Sequence, residues 1–121
     1  MCWISYRKVK EKIAPKEGVV VYKVMSRVSS DILRSPFRNK LMKPNVMNEH
    51  VDIKVRSYDS SFYYIEEGYH SFASEELAMS CSIFVPNGKV CEAIIPKGTI
   101  YYVNINREIV SENLILINSG Y

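Results

Sequence analysis

Val19-Val20-Val21-Tyr22-Lys23-Val24-Met25 is β-branched and almost wholly apolar, which predicts a strand buried on both faces at the centre of a sheet. His50 to Arg56 alternates instead, with Val51, Ile53 and Val55 set against Asp52, Lys54 and Arg56. That period of two predicts a half-exposed strand. Phe62-Tyr63-Tyr64-Ile65 reads as a further strand, closed by Glu66-Glu67-Gly68 after the turn-like Tyr58-Asp59-Ser60-Ser61. In the C-terminal half, apolar runs over 90–95 and 100–103 flank Pro96-Lys97-Gly98-Thr99. Pro96 presets the first turn corner and Gly98 is free to take positive φ. Leu114-Ile115-Leu116-Ile117 is a last, fully apolar strand.

Between these runs the pattern changes. Ser74 before Glu75-Glu76-Leu77-Ala78-Met79-Ser80 is a natural N-cap, and the two glutamates suit the positive end of a helix dipole, so a short helix is expected. The polar Tyr69-His70-Ser71 leads into it. Ile83-Phe84-Val85, Pro86-Asn87-Gly88 and Lys89-Val90 predict a hairpin, Asn-Gly being the strongest short turn signal. Tyr6, Val9 and Ile13 recur at helix-like spacing, which suggests a short helix or a loose arm within a basic N-terminal segment, 1–16. Residues 26–48 show no sustained period. Ser29-Ser30-Asp31 caps at most one turn, and Ser35-Pro36 and Lys43-Pro44-Asn45 break regularity, so this stretch reads as a basic loop. The chain is therefore expected to be one β-rich α+β domain, 1–121, with one or two short helices.

Composition narrows the setting. At 47% apolar and 24% charged residues the chain can build an ordinary core without metal or disulfide staples. Three cysteines, Cys2, Cys81 and Cys91, form no CxxC and no disulfide framework, and no apolar run is long enough for a signal peptide or a membrane span. A reducing cytoplasm and no membrane partner are the expectation. Charge is uneven: residues 1–56 carry 13 Lys and Arg against 5 Asp and Glu, and 57–121 carry 3 against 8. A basic face for nucleic acid is one implication; the other is that the two halves neutralise each other on packing.

No motif names a reaction. There is no phosphate-binding glycine loop, no HExxH and no metal-spaced Cys/His set, so no metal is expected. Cys91 with His70 has the chemistry of a nucleophile–base pair, but a buried structural cysteine is the commoner role. Nine tyrosines, paired at Tyr63-Tyr64 and Tyr101-Tyr102, offer one side chain to each face of a strand, which suits either stacking on a base or the rim of the core. Local chemistry singles out Tyr69, His70, Ser71 and Glu112. Backbone N–H groups are free where Tyr69-His70-Ser71 precedes a helix, and Glu112 opens an apolar strand with its carboxylate at the strand's mouth. These four are expected on one concave surface.

Val20 to Val24, Ser35-Pro36-Phe37-Arg38, Glu67-Gly68-Tyr69-His70-Ser71-Phe72, Cys91 to Tyr102 and Glu108 to Leu116 together resemble a family of small phage and gut-bacterial proteins with no assigned function. The same order resembles, more distantly, the ADP-ribosyltransferase fold. That family pairs a basic residue on a first strand with an aromatic-Ser-Thr-Ser strand and a Glu at a late apolar strand. The resemblance implies ligand-binding roles for Lys23 and for Ser71 with Phe72, a catalytic role for Glu112, and NAD as cofactor. Three positions depart from it: Lys23 stands for Arg or His, Ser71-Phe72-Ala73-Ser74 for Ser-Thr-Ser, and Val110 for the Glu or Gln two before Glu112. The favoured expectation is accordingly a phage- or prophage-encoded, non-catalytic module binding a protein or nucleotide-like ligand without a cofactor. The alternatives are an ADP-ribosyltransferase-like enzyme using NAD and a nucleic-acid binder acting through the basic half.

Overall fold

The β-branched run at 19–25 becomes the longest strand of the computed structural model, which describes residues 3–5, 10–27, 33–34, 41–42, 47–48, 50–53, 55–57, 63–65, 68–85, 87–104 and 106–117. In chain order the elements are β1 (Trp3–Ser5), β2 (Lys10–Ile13), β3 (Val19–Arg27), β4 (Leu33–Arg34), β5 (Leu41–Met42), β6 (Val55–Ser57), β7 (Tyr63–Ile65), β8 (Tyr69–Phe72), α1 (Glu75–Ser82), β9 (Gly88–Ile95), β10 (Ile100–Val103), β11 (Glu108–Ser111) and β12 (Ile115–Leu116). The described residues thus form a β-rich α+β fold with one short helix. No helix among them is long and apolar enough to cross a membrane.

The main sheet runs β12-β9-β3-β8-β11-β10-β2, all antiparallel, with β4 and β5 branching from β3. A second sheet pairs β1, β7 and β6. As expected, β3 is central, bonded to β9 along eight residues and to β8 at Tyr22 opposite Phe72, but it is not buried on both faces: Val21, Lys23 and Met25 are sealed while Val20 on the other face is 48% exposed. The Pro96-Lys97-Gly98-Thr99 turn also forms, with Gly98 at φ 78 and Thr99 N–H donating to Pro96 O at 3.2 Å. It does not close a hairpin, because β9 and β10 occupy distant positions in the sheet. Instead the antiparallel pair β3/β9 continues through two corners, 14–18 and 96–99, into the pair β2/β10. The corners brace each other: Ala14 N–H donates to Thr99 O at 2.9 Å, and Gly98 N–H donates to Ala14 O at 3.0 Å.

Strand register assigns side chains to two faces. Lys23 opposes Cys91, Tyr22 opposes Phe72, Tyr69 opposes Ser111 and Ser71 opposes Ile109, so Val21, Lys23, Cys91, Tyr69, Ser71, Ile109 and Ser111 share one face. That face carries the main core, in which Val21, Met25, Tyr69, Cys91, Ala93, Ile95, Ile109, Leu114 and Leu116 are buried together. The opposite face holds a smaller cluster, Val110 with Ile53 and Tyr102.

Several expectations need correction. Lys10–Ile13 is a strand, not a helix, because it can pair with β10 as Ile13 opposite Ile100 and Lys10 opposite Val103. Tyr69–Ser71 is not a polar lead-in but part of strand β8, held between β3 and β11. Val85 is not a hairpin strand. Ser74 Oγ caps α1 as expected, accepting from Leu77 N–H at 3.3 Å, but the helix runs to Ser82 and the chain turns directly into β9, with Asn87 at φ 55 and Gly88 N–H donating to Val85 O at 2.9 Å. The half-exposed strand expected over His50–Arg56 narrows to Val55–Ser57; residues 50–53 are instead tied by Val51 N–H donating to Glu112 O at 2.9 Å. Within the basic loop, β3 extends to Arg27 and two short strands appear. The readings at Tyr6 to Val9, Ser29-Ser30-Asp31, Ser35-Pro36, Pro44-Asn45, Tyr58, Phe62 and Glu66-Glu67 lie outside the described residues.

Candidate functional site

The five residues picked out from the sequence fall in two environments. Lys23, Tyr69 and Ser71 lie in the core face, at 4%, 3% and 2% exposure. The Lys23 amine has crossed to the neighbouring strand and donates to the backbone O of His70 at 2.6 Å. A buried ammonium needs such an acceptor, and a backbone carbonyl in the adjacent strand supplies one. Cys91, opposite Lys23 on β9, is fully buried. Strand alternation turns the His70 ring to the opposite face, so His70 and Cys91 do not form a pair. Ser71 Oγ and Ser111 Oγ are buried without a hydrogen-bond partner. The concave surface expected to join Tyr69, His70, Ser71 and Glu112 is therefore divided by the sheet.

Glu112 belongs to the other environment. β11 ends at Ser111, and Glu112 N–H donates to Ile100 O at 3.1 Å, which seats the residue at the end of the sheet beside the 96–99 corner. One carboxylate oxygen, Oε2, accepts from Ile53 N–H at 3.3 Å. The segment bearing Ile53 is laced to the chain after β11: Val51 N–H donates to Glu112 O at 2.9 Å, Asn48 Nδ2 donates to Leu114 O at 3.2 Å, and Met47 bridges Ile115. This lacing brings in two residues with no motif to announce them. His50 Nε2 lies 3.0 Å from Asp52 Oδ1, and one ligand-type atom from each of His50, Asp52 and Glu112 lies within 4.8 Å of the others.

Asn113 completes the corner. Its Oδ1 faces His50 Nδ1 at 3.0 Å, and its Nδ2 donates to Thr99 Oγ1 at 3.3 Å, so the turn that opens β10 also orients the amide. The hydrogen bond to Asn113, then that to Asp52, lifts His50 above its ordinary pKa, and the negative charges of Glu112 and Asp52 act in the same direction. Both His50 and Asp52 are open to solvent, at 53% and 85% side-chain exposure. On the same face Tyr102 OH donates to Glu11 Oε1 at 2.6 Å; burial first, then this bond, pushes the phenol up to about 12. Partial burial first, then the negative charge of Glu108, raises the thiol of the exposed Cys81 above its ordinary pKa.

The only sequence signal for the corner was the spacing of His50 and Asp52. In an extended segment two residues two apart point the same way, so both could meet one partner. That the partner is Glu112, about sixty residues on, follows from tertiary pairing alone. No family model, no curated protein and no solved structure matches the chain.

Proposed function

We propose that this chain is a small non-catalytic binding module that takes a hydroxyl-rich, ribose-like ligand at the corner formed by 50–53 and 112–113, acting in the cytoplasm as a phage- or prophage-encoded protein. The observation that carries the reading is the anchored carboxylate of Glu112. One oxygen is held by Ile53 N–H, and the group stands beside a second carboxylate, Asp52, and an exposed imidazole, His50. Two carboxylates accept from neighbouring sugar hydroxyls, and an exposed imidazole offers its ring face for stacking. Lys23 and Ser71 lie sealed in the core, which supports binding without transfer chemistry.

A second reading, an ADP-ribosyltransferase-like enzyme using NAD, is favoured by one feature. Glu112 lies beside the corner made by Pro96-Lys97-Gly98-Thr99, and its carboxylate could stabilise charge at an anomeric carbon, although it follows β11 rather than opening a strand as the resemblance implies. Nucleic-acid binding through the basic half rests on charge alone, and its mark would be affinity that falls steeply with salt.

Titration with ADP-ribose and with NAD, followed by backbone chemical shifts, tests these readings. Shifts grouped at 50–53 and 112–113 without hydrolysis of NAD are the expected result. No shifts at millimolar ligand would overturn the ribose reading. Hydrolysis that disappears in Glu112→Gln would replace it with the enzyme.

A further inference from the structure

We propose that His50, Asp52 and Glu112 form a site for a divalent transition-metal cation of the Zn²⁺ class, with open positions facing solvent. The inference rests on the same corner as the ribose-binding reading and deepens it: with a cation held by the two carboxylates and the imidazole, its open positions, rather than those side chains, would meet sugar hydroxyls or phosphate.

The first argument is the hydrogen-bond inventory of the imidazole. Both ring nitrogens of His50 face acceptor oxygens: Nδ1 meets Asn113 Oδ1 and Nε2 meets Asp52 Oδ1, each at 3.0 Å. A neutral imidazole donates only once. Protonated, the ring donates to both oxygens; with Nδ1–H kept by Asn113, Nε2 is the nitrogen that a cation beside Asp52 would take in place of that proton. The amide that selects this arrangement lies outside the ligand set and is itself braced by Thr99 Oγ1. Metal-bound histidines are oriented in this way, with the distal N–H given to a fixed outer acceptor.

The second argument is preorganisation of the other donors. Glu112 is held by Ile53 N–H through Oε2, which leaves Oε1 for a ligand. The two segments are fixed to one another through Val51 N–H to Glu112 O and Asn48 N–H to Leu114 O. The donor atoms lie within 4.8 Å of one another, and a cation with bonds of about 2.0–2.2 Å holds its ligands roughly 3–3.5 Å apart. His50 Nε2 and Asp52 Oδ1 already stand 3.0 Å apart, so the adjustment falls to Glu112, whose second carboxylate oxygen would turn toward them. One imidazole and two carboxylates suit Zn²⁺ better than Mg²⁺, which prefers oxygen donors and retains water. Three protein ligands leave positions open, as in sites that bind a further ligand rather than staple a fold.

Calorimetric titration of the full chain with Zn²⁺, in phosphate-free buffer with a non-thiol reductant, tests the proposal. Uptake of one cation per chain is expected, with Mg²⁺ at least about tenfold weaker. Asp52→Asn and Glu112→Gln, which keep side-chain shape, should each weaken Zn²⁺ at least about tenfold. Asn113→Ala, which removes no ligand, should weaken it about 10- to 100-fold by releasing the ring. Cys81→Ser should change nothing. Absence of uptake, equal affinity in all variants, equal affinity for Mg²⁺, or uptake lost only in Cys81→Ser would overturn the site. Repeating the ADP-ribose titration with and without chelator separates the two claims. Ligand shifts that persist in chelator without Zn²⁺ uptake sink the cation site and leave the binding reading. Zn²⁺ uptake with no ADP-ribose response in either condition does the reverse.

Discussion

Lys23 and Glu112 are both charged residues that the sequence offers as ligand contacts, yet the fold treats them in opposite ways. Lys23 is 4% exposed and its amine is committed to a carbonyl of the neighbouring strand. Glu112 is half-buried at the end of the sheet, with one oxygen anchored and exposed His50 and Asp52 beside it. Burial makes a polar group part of the structure, because its hydrogen bonds must be met internally. Exposure beside a rigid frame leaves a group available for a ligand. The difference gives Lys23 a structural role and leaves the Glu112 corner as the place for the proposed ligand.

The sharpest way to break this comparison is to truncate on both sides. Lys23→Ala should cost about 3 kcal/mol in urea unfolding, because it leaves a cavity and takes the amine from His70 O. His50→Ala, at an exposed site, should stay within about 0.5 kcal/mol of the parent. Equal costs at the two positions would erase the distinction.

The Tyr102–Glu11 contact gives a pH-dependent contrast on the corner's own face. The folded phenol is pushed up to about 12 against an ordinary value of 10.0, so the fold favours its protonated form. Its stabilisation is complete below the unfolded value and is lost as pH rises through 10.0 toward about 12. Tyr102→Phe should flatten the alkaline limb of stability measured over that range. A limb of unchanged slope would assign the loss to another group.

A smaller and opposite effect is expected for the core hydroxyls. Ser71 Oγ and Ser111 Oγ are buried without partners, so Ser71→Ala and Ser111→Ala should be neutral or stabilising by up to about 1 kcal/mol. Destabilisation beyond that would show the core face to be a working polar site, as the resemblance implied. The smallest effect belongs to Ile83 and Phe84, which stand 77% and 82% exposed after α1. Ile83→Ser and Phe84→Ser should each shift the urea midpoint by the equivalent of less than about 0.5 kcal/mol. A larger loss would place these side chains in the core that the expected hairpin would have joined.

The local sequence determined the pieces whose cause is local. Val19 to Met25 had to be a central strand, because a run apolar on both faces is satisfied only between neighbours. Ser74 had to cap a helix, because its hydroxyl meets the free N–H of Leu77 wherever the rest of the chain goes. Pro96 and Gly98 had to turn the chain. What those pieces join was decided only by tertiary structure. Tyr6, Val9 and Ile13 have helix-like spacing, but over Lys10–Ile13 ladder bonds to Ile100–Val103 outweigh that weak preference and make a strand. Asn87-Gly88 carries a hairpin signal, yet helix α1 runs up to Ser82 and turn residues replace the expected first strand at 83–85, so the turn links a helix to β9. Register likewise sends Ser71 into the core and His70 to the other face, a choice of one residue in phase that no local pattern settles. The corner is the extreme case. His50 and Asp52 meet Glu112 only because the 47–53 segment is laced to the chain after β11, and such long-range closure leaves no trace in local spacing.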